Sequence, residues 1–338
     1  MSNFFLILLY PILIYLVNSY STKKNLLPNF SGDNHQKFFK KNNTQLTGGI
    51  LLTPVFLFIT FDHSIVLSII LILIFLLGLS SDTGYFSSAK LRLLIQSVII
   101  LYFLISTETI LTSVRIEKFD LLLNNYWFSL FFTLLCFMIL TNGTNFIDGL
   151  NGLVLSYSLL IILIIVYLEL FEFSFLSHKD MIKIIIAFSY LVLFNYFNKL
   201  YIGDSGSYLI GFLLGYVLLQ IYENNPYFSP YFIALLLWYP VFEILFSIIR
   251  KIKINKSPLK PDNKHLHHLL FLYFEKKFKF KTNTTNNLTS ILIIVYNLLI
   301  FIIATQDIYS STLHVLLFII NIVTYLVLYS KLNHLKNS

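Results

Sequence analysis

The chain has 338 residues, of which 57% are apolar, 17% aromatic and only 12% charged, where a soluble domain carries roughly 25% charged residues. That composition excludes an ordinary soluble globule and implies an integral membrane protein. The formal charge of +8 does not point to nucleic acid, because no basic domain stands apart from the apolar segments. In a membrane protein, Lys and Arg mark cytoplasmic loops and contacts with anionic headgroups. The single Cys136 lies in an apolar run, so no disulfide forms within the chain and the thiol reads as core.

A helix needs about 20 apolar residues to span a bilayer, fewer if the span is short. Apolar runs between polar breaks predict eleven spans, near 4–20, 46–61, 63–80, 93–110, 126–141, 150–170, 181–197, 205–222, 230–250, 288–305 and 311–330. No Lys or Arg precedes the first run and Lys23 and Lys24 follow it, so it reads as a retained span with its N-terminus outside rather than a cleaved signal. The short break Phe61-Asp62-His63 makes the second and third spans a hairpin. The second and eighth runs are the thinnest, the eighth because of Gly211 and Gly215.

With that orientation, 20 of the 24 Lys and Arg fall on the inner segments 21–45, 81–92, 198–204, 250–287 and 331–338. Only Arg115, Lys118, Lys179 and Lys183 remain outside. The asymmetry supports both the orientation and an odd number of spans. The expected fold is therefore all-α, one polytopic membrane domain over 1–338 with about eleven transmembrane helices, cytoplasmic loops and a cytoplasmic C-terminus. Lys276 to Asn287, rich in Lys, Asn and Thr, reads as a solvated loop.

Polar islands interrupt this chain on the inner side. Asn42 to Ile50 follows Lys40 and Lys41 and contains Gly48-Gly49; it is either a tight helix start or a place where a lysine meets a nucleotide. In Gly78 to Gln96, Asp82 could cap the following helix, as could Ser87 or Ser88, while Lys90 and Arg92 could bind phosphate or headgroups. Thr141 to Leu153 spaces Asn142, Asn145 and Asp148 three apart, along one face of a helical turn. Such amides often glue membrane helices together, but an acid at that depth is a functional-site hypothesis by default.

In Asn198 to Ser207, Asp204 sits between glycines where a helix opens near Ser205. The bland reading is an N-cap; the functional one is Mg²⁺ held together with a diphosphate at a helix N-terminus. Finally, Ser257 to Leu270 gathers Lys264, His265, His267 and His268 after Pro258 and Pro261. His267 and His268 are adjacent and should point apart, which argues against a zinc trio, so donation to phosphate or sugar oxygens is the better reading. Three carboxylates, basic residues and a His cluster on one membrane face describe metal-assisted phosphoryl transfer to or from a lipid. A transporter or lipid flippase would instead place its ionisable groups near the midplane, where only Glu243 falls.

In order along the chain, LTGGI from Leu46, NxxNFIDGxxGL from Asn142, GDxGS from Gly203 and PDxxHxHH from Pro261 resemble the polyprenyl-phosphate N-acetylhexosamine-1-phosphate transferases, and most closely the branch that initiates O-antigen synthesis. The resemblance covers a core of about 40–275, with two further helices at 288–330. It implies transfer of a sugar 1-phosphate from a UDP-N-acetylhexosamine to undecaprenyl phosphate with release of UMP, at the bacterial cytoplasmic membrane, with Mg²⁺ or Mn²⁺ as cofactor and no nucleic-acid partner. A homodimer is left open.

Carried onto this chain, the resemblance makes Asp204 the metal ligand with Asn145 as second contributor, Asp82 the acid that deprotonates the lipid phosphate or assists the metal, and Asp148 part of the nucleotide and catalytic site. Tyr201 falls where an aromatic stacks on uracil, with Lys41 nearby. Asn142, Asn151 and Arg92 are further substrate-binding positions, and His265, His267 and His268 belong to the loop that closes over the sugar diphosphate. Two positions depart from the pattern: Ser81 replaces the first acid of an Asp-Asp pair, and Asn151 the second acid of DGxDG. These departures keep a catalytically impaired homologue as an alternative.

Overall fold

The computed structural model describes residues 3–28, 44–86, 88–260 and 262–337; Lys41, Ser87 and Pro261 therefore lie outside the described residues. The helices are α1 (Asn3–Lys24), α2 (Gly48–Thr60), α3 (Ile65–Asp82), α4 (Ala89–Thr107), α5 (Glu117–Leu123), α6 (Tyr126–Phe146), α7 (Leu153–Tyr167), α8 (His178–Tyr196), α9 (Gly203–Asn224), α10 (Pro230–Leu236), α11 (Trp238–Lys253), α12 (Leu266–Phe278), α13 (Thr282–Ala304) and α14 (Ser311–Asn337). Among the described residues the only β pairing is one isolated bridge, Pro28 to Gln45.

Each of the eleven apolar runs is helical, the ninth being broken into α10 and α11, which meet at 76°. Among the described residues, six helices, α3, α4, α6, α9, α13 and α14, are long and apolar enough to cross a membrane, and the bent α10–α11 pair makes up to seven. The protein is thus a multi-pass membrane protein. Polar residues at the heads of runs start helices as their chemistry requires: Ser64 Oγ accepts from Leu67 N at 3.2 Å, Asn125 Oδ1 from Phe128 N at 3.1 Å, and Ser177 with Asp180 forms a capping box on α8. Along α4, Leu94, Val98, Tyr102 and Ile105 form an exposed apolar stripe, the face such a helix turns to lipid.

α9 is the axis of the bundle, packed against α2, α3 and α6 and buried over most of its length. Its glycines thin the hydropathy because they admit neighbours: a Cβ on Gly211 would come within 2.8 Å of Thr141 Cα on α6. Small residues take this role where membrane helices approach closely.

Two expectations are corrected. Cys136 is exposed on α6 rather than in the core, because it lies on the helix's outward side. Lys276 to Asn287 is not one solvated loop: α12 runs to Phe278 and α13 begins at Thr282, with Thr285 and Asn286 buried. The polar residues there are used inward, as partners for other buried amides.

The polar islands gather at one end of the bundle, where α3, α6, α8 and α11 finish and α4, α7, α9 and α13 begin. The opposite end is closed by protein contacts: Arg115 donates to the carbonyls of Pro226 at 2.8 Å, Tyr227 at 2.6 Å and Phe228 at 2.8 Å, and Lys183 pairs with Asp180 at 2.8 Å.

Candidate active site

The first turn of α9 is the centre of the site. Gly203 opens it with φ +71°, and a Cβ there would stand 2.7 Å from Asp82 Oδ2, so both the backbone and the close approach require glycine. Asp82 accepts from Asp204 N at 2.7 Å through Oδ1, and from Ser205 Oγ at 2.6 Å and Ser205 N at 3.1 Å through Oδ2. It therefore caps a helix, but α9 across the bundle and not the α4 that follows it in sequence. Ser88 caps α4 instead, accepting from Leu91 N at 3.4 Å. A carboxylate at a helix N-terminus satisfies otherwise unpaired amides and complements the dipole.

Asp204 is half-buried and held from two sides. Ser81 Oγ donates to its Oδ2 at 2.5 Å, and Arg92 Nη1 in turn donates to Ser81 Oγ at 2.6 Å and to the Phe86 carbonyl at 3.1 Å. Ser81, where the family pattern has an acid, thus links the Arg92 cation to Asp204. Asn145 Nδ2 donates to Asp204 Oδ1 at 2.6 Å and to Ser207 Oγ at 3.1 Å. The nitrogen of Asn145, rather than the oxygen a metal would take, faces Asp204.

Asn142, Asn145 and Asp148 do not share one helical face. α6 ends at Phe146, and Asn142 is spent on helix pairing, donating to Gln96 Oε1 of α4 at 2.8 Å. Asp148 lies in the turn beyond, hydrogen-bonded to the Gly203 backbone and within reach of the charges on Asp204 and Asp82. Burial, reinforced by those two carboxylates, pushes its carboxyl well above the usual carboxylate range.

The histidines face the same turn. A Cβ on Gly149 would stand 2.7 Å from His267 Nε2 and 2.8 Å from His268 Cε1. Contrary to expectation, His267 and His268 do not point apart: their ring centroids are 4.3 Å from each other, and His265 stacks 5.5 Å from His267. The adjacent pair can converge because His265 ends the loop and α12 starts immediately after it. His267 is fully buried with its Nε2 unpartnered; burial, then the neighbouring imidazoles, push its pKa well below the usual histidine value. It is a neutral imidazole at neutral pH.

His265 is locked by Glu243, a residue the motifs do not contain: His265 Nδ1 lies 2.9 Å from Glu243 Oε1, which also accepts from Leu266 N at 3.3 Å. The mid-span acid that hinted at a transporter is thus the anchor of the histidine loop, and its isolation in an apolar run was the signal. Arg250 adds a two-pronged contact to Asp262 at 2.8 and 3.1 Å, and the buried Lys251 Nζ donates to the Lys260 carbonyl at 2.7 Å.

Asn151 and Tyr201 meet in an amide cluster rather than around an open pocket. Asn151 Nδ2 donates to Asn198 Oδ1 at 2.6 Å and Asn287 Oδ1 at 3.2 Å, and the Tyr201 hydroxyl donates to Asn198 Oδ1 at 3.2 Å. The site therefore brings together Asp82, Asp148, Asp204, Asn145, Arg92, His265, His267 and His268. It sets Asn142 one turn back on α6 and places Asn151 and Tyr201 behind the turns that carry Asp148 and Asp204.

Residues 64–222 match glycosyl transferase family 4. That stretch is a little under half of the chain, and over it the chain is similar to that family. It is 31% identical over 208 residues to the probable undecaprenyl-phosphate N-acetylglucosaminyl 1-phosphate transferase of Bacillus subtilis, an alignment covering 60% of this chain and 56% of that protein. Identity is 26% over 265 residues, 78% of each chain, to the undecaprenyl-phosphate alpha-N-acetylglucosaminyl 1-phosphate transferase of Thermotoga maritima. The Escherichia coli protein of that name is 24% identical over 197 residues, 56% of this chain and 53% of its own length. The alignment thus spans little more than half of the Bacillus and Escherichia relatives. The family match takes in Asp82, Asp148 and Asp204 but stops before Glu243 and the histidines.

Among the described residues no three His, Cys, Asp or Glu side chains form a group able to hold a metal unaided. The donor set suits a different arrangement. Asp82 is committed to α9, whereas each Asp204 oxygen accepts one hydrogen bond and has lone pairs to spare. One carboxylate completed by phosphate oxygens and water is how Mg²⁺ is usually bound.

Proposed function

We propose that the protein transfers an N-acetylhexosamine 1-phosphate from a UDP-sugar to undecaprenyl phosphate, releasing UMP, as the first step of O-antigen, cell-wall or other cell-surface polymer synthesis. The reaction face is the cytoplasmic side of the bacterial inner membrane, with the N-terminus outside and the C-terminus inside. The observation that carries this reading is the convergence of Asp82, Asp148 and Asp204 with three histidines at one end of a membrane helix bundle. The names of the family relatives support it.

An oxygen of the lipid phosphate attacks the β-phosphorus of the UDP-sugar. The bond from that phosphorus to the bridging oxygen breaks, and UMP leaves with the electron pair. Mg²⁺, or Mn²⁺ in its place, would be held by Asp204 with the diphosphate oxygens and would neutralise their charge. Asp82 keeps the first turn of α9, and with it Asp204, in place. Arg92, acting through Ser81, and Asn145 fix the Asp204 carboxylate. Burial raises the proton affinity of both Asp82 and Asp148; in its ionised form Asp148 would take a proton from the lipid phosphate, whereas both oxygens of Asp82 are engaged by α9. Neutral His267 and the anchored His265 donate hydrogen bonds to oxygens of the sugar diphosphate.

Purified protein in lipid vesicles should release UMP from a UDP-N-acetylhexosamine only when undecaprenyl phosphate and Mg²⁺ are both present. Release that ignores the lipid acceptor, or none with any UDP-N-acetylhexosamine, would sink the reading.

A further inference from the structure

α13 lies beyond the family match, yet it reaches the site. Its second turn places Asn286 Oδ1 on the backbone amide of Asn151 at 2.7 Å, and Asn287 Oδ1 on Asn151 Nδ2 at 3.2 Å. Asn287 Nδ2 continues to the Tyr196 carbonyl at 3.0 Å. From the other side, Asn198 Oδ1 accepts from Asn151 Nδ2 and from the Tyr201 hydroxyl, and Asn195 Oδ1 accepts from Gly152 N. Asn151, Asn195 and Asn286 are buried. Amides from three segments therefore join the turn that carries Asp148 and Gly149 to the turn that leads into Asp204.

This joint also accounts for the amide at position 151. The two donor hydrogens of Asn151 Nδ2 meet the oxygens of Asn198 and Asn287, where a carboxylate would set like partial charges together. The Asn151 backbone amide precedes α7 and would be a buried, unpaired donor without Asn286, a situation that is costly in a protein interior.

We propose that Asn286 and Asn287 are positioning residues of the site, holding the 147–152 turn through Asn151 so that Asp148 and Gly149 present the nucleotide-sugar surface opposite Asp204 and His267. The inference rests on the proposed transferase reading. It adds that a helix outside the matched family region sets the affinity for the sugar nucleotide.

The test uses the full chain in lipid vesicles, with KM for the UDP-N-acetylhexosamine and kcat measured separately, and thermal unfolding as the check on folding. Asn286→Ala and Asn287→Ala should each raise KM about tenfold, the scale of one buried donor left unpaired, with kcat within about twofold of wild type. Asn286→Asp retains the acceptor oxygen and should keep KM near wild type, a rescue that loss of packing would not show. If Asn286→Ala does not fold, the half-buried Asn287→Ala carries the test. KM within twofold of wild type in the folded alanine variants overturns the inference, as does an Asn286→Asp variant as impaired as the alanine. Wild-type protein without turnover overturns the transferase reading first, which separates the two failures.

Discussion

Asp148 shows how a residue can be placed against its own stability. Its carboxyl is buried and lies near Asp204 and Asp82, and its pKa stands well above that of an unfolded carboxylate. Between the unfolded and folded pKa values the native state binds the extra proton, so stability falls as pH rises through that window. Asp148→Asn should therefore unfold at a higher temperature than wild type at pH 7.5. The gain should shrink as pH is lowered towards the unfolded value, while transferase activity is lost. Thermal melts at a series of pH values check this; a variant less stable than wild type at pH 7.5 would contradict the placement. Ser81 teaches a related point. Its hydroxyl accepts from Arg92 and donates to Asp204, so the missing acid has left a connected position rather than a gap.

Among the elements, the break between α10 and α11 matters most, because α11 then carries Glu243, Arg250 and Lys251 towards the histidine loop. Glu243→Gln keeps an oxygen for Leu266 N but removes the charged partner of His265. We expect kcat to fall about tenfold or more, the scale of a charge-assisted hydrogen bond, with little change in unfolding temperature. Unchanged kcat would show that His265 needs no anchor. The helices were legible in sequence because apolar runs are a local signal: all eleven runs are helical, and among the described residues six of the helices, or up to seven with the bent pair, are long and apolar enough to cross a membrane. Legibility failed where partners lie far apart in the chain. That Asp82 caps α9 rather than α4 depends on a contact across 122 residues, and Asn286 meets Asn151 across 135. No spacing rule carries such pairs, so polar residues on α13 read as solvated loop.

For the molecule as a whole, α9 is both the most deeply packed axis and the bearer of Asp204, so core and site are one construction. The glycines that made its sequence look like a poor membrane span are what let α6 bring Asn145 and the Asp148 turn against it. The motif residues that the sequence grouped do meet, with Asn142 displaced into α4–α6 pairing and Asn151 into the amide joint. The roles of Glu243, Asn286 and Asn287 became visible only in three dimensions, since they hold other residues. The central claim is that Asp204 at the head of α9 is the acid on which phosphoryl transfer depends, and the most direct test is UMP release from a UDP-N-acetylhexosamine in vesicles containing undecaprenyl phosphate and Mg²⁺, comparing wild type with Asp204→Asn. Asparagine is nearly isosteric, so the fold should survive, and release should fall by about a thousandfold or more, as when a key electrostatic group is removed. Release at the wild-type rate by the folded variant would contradict the account.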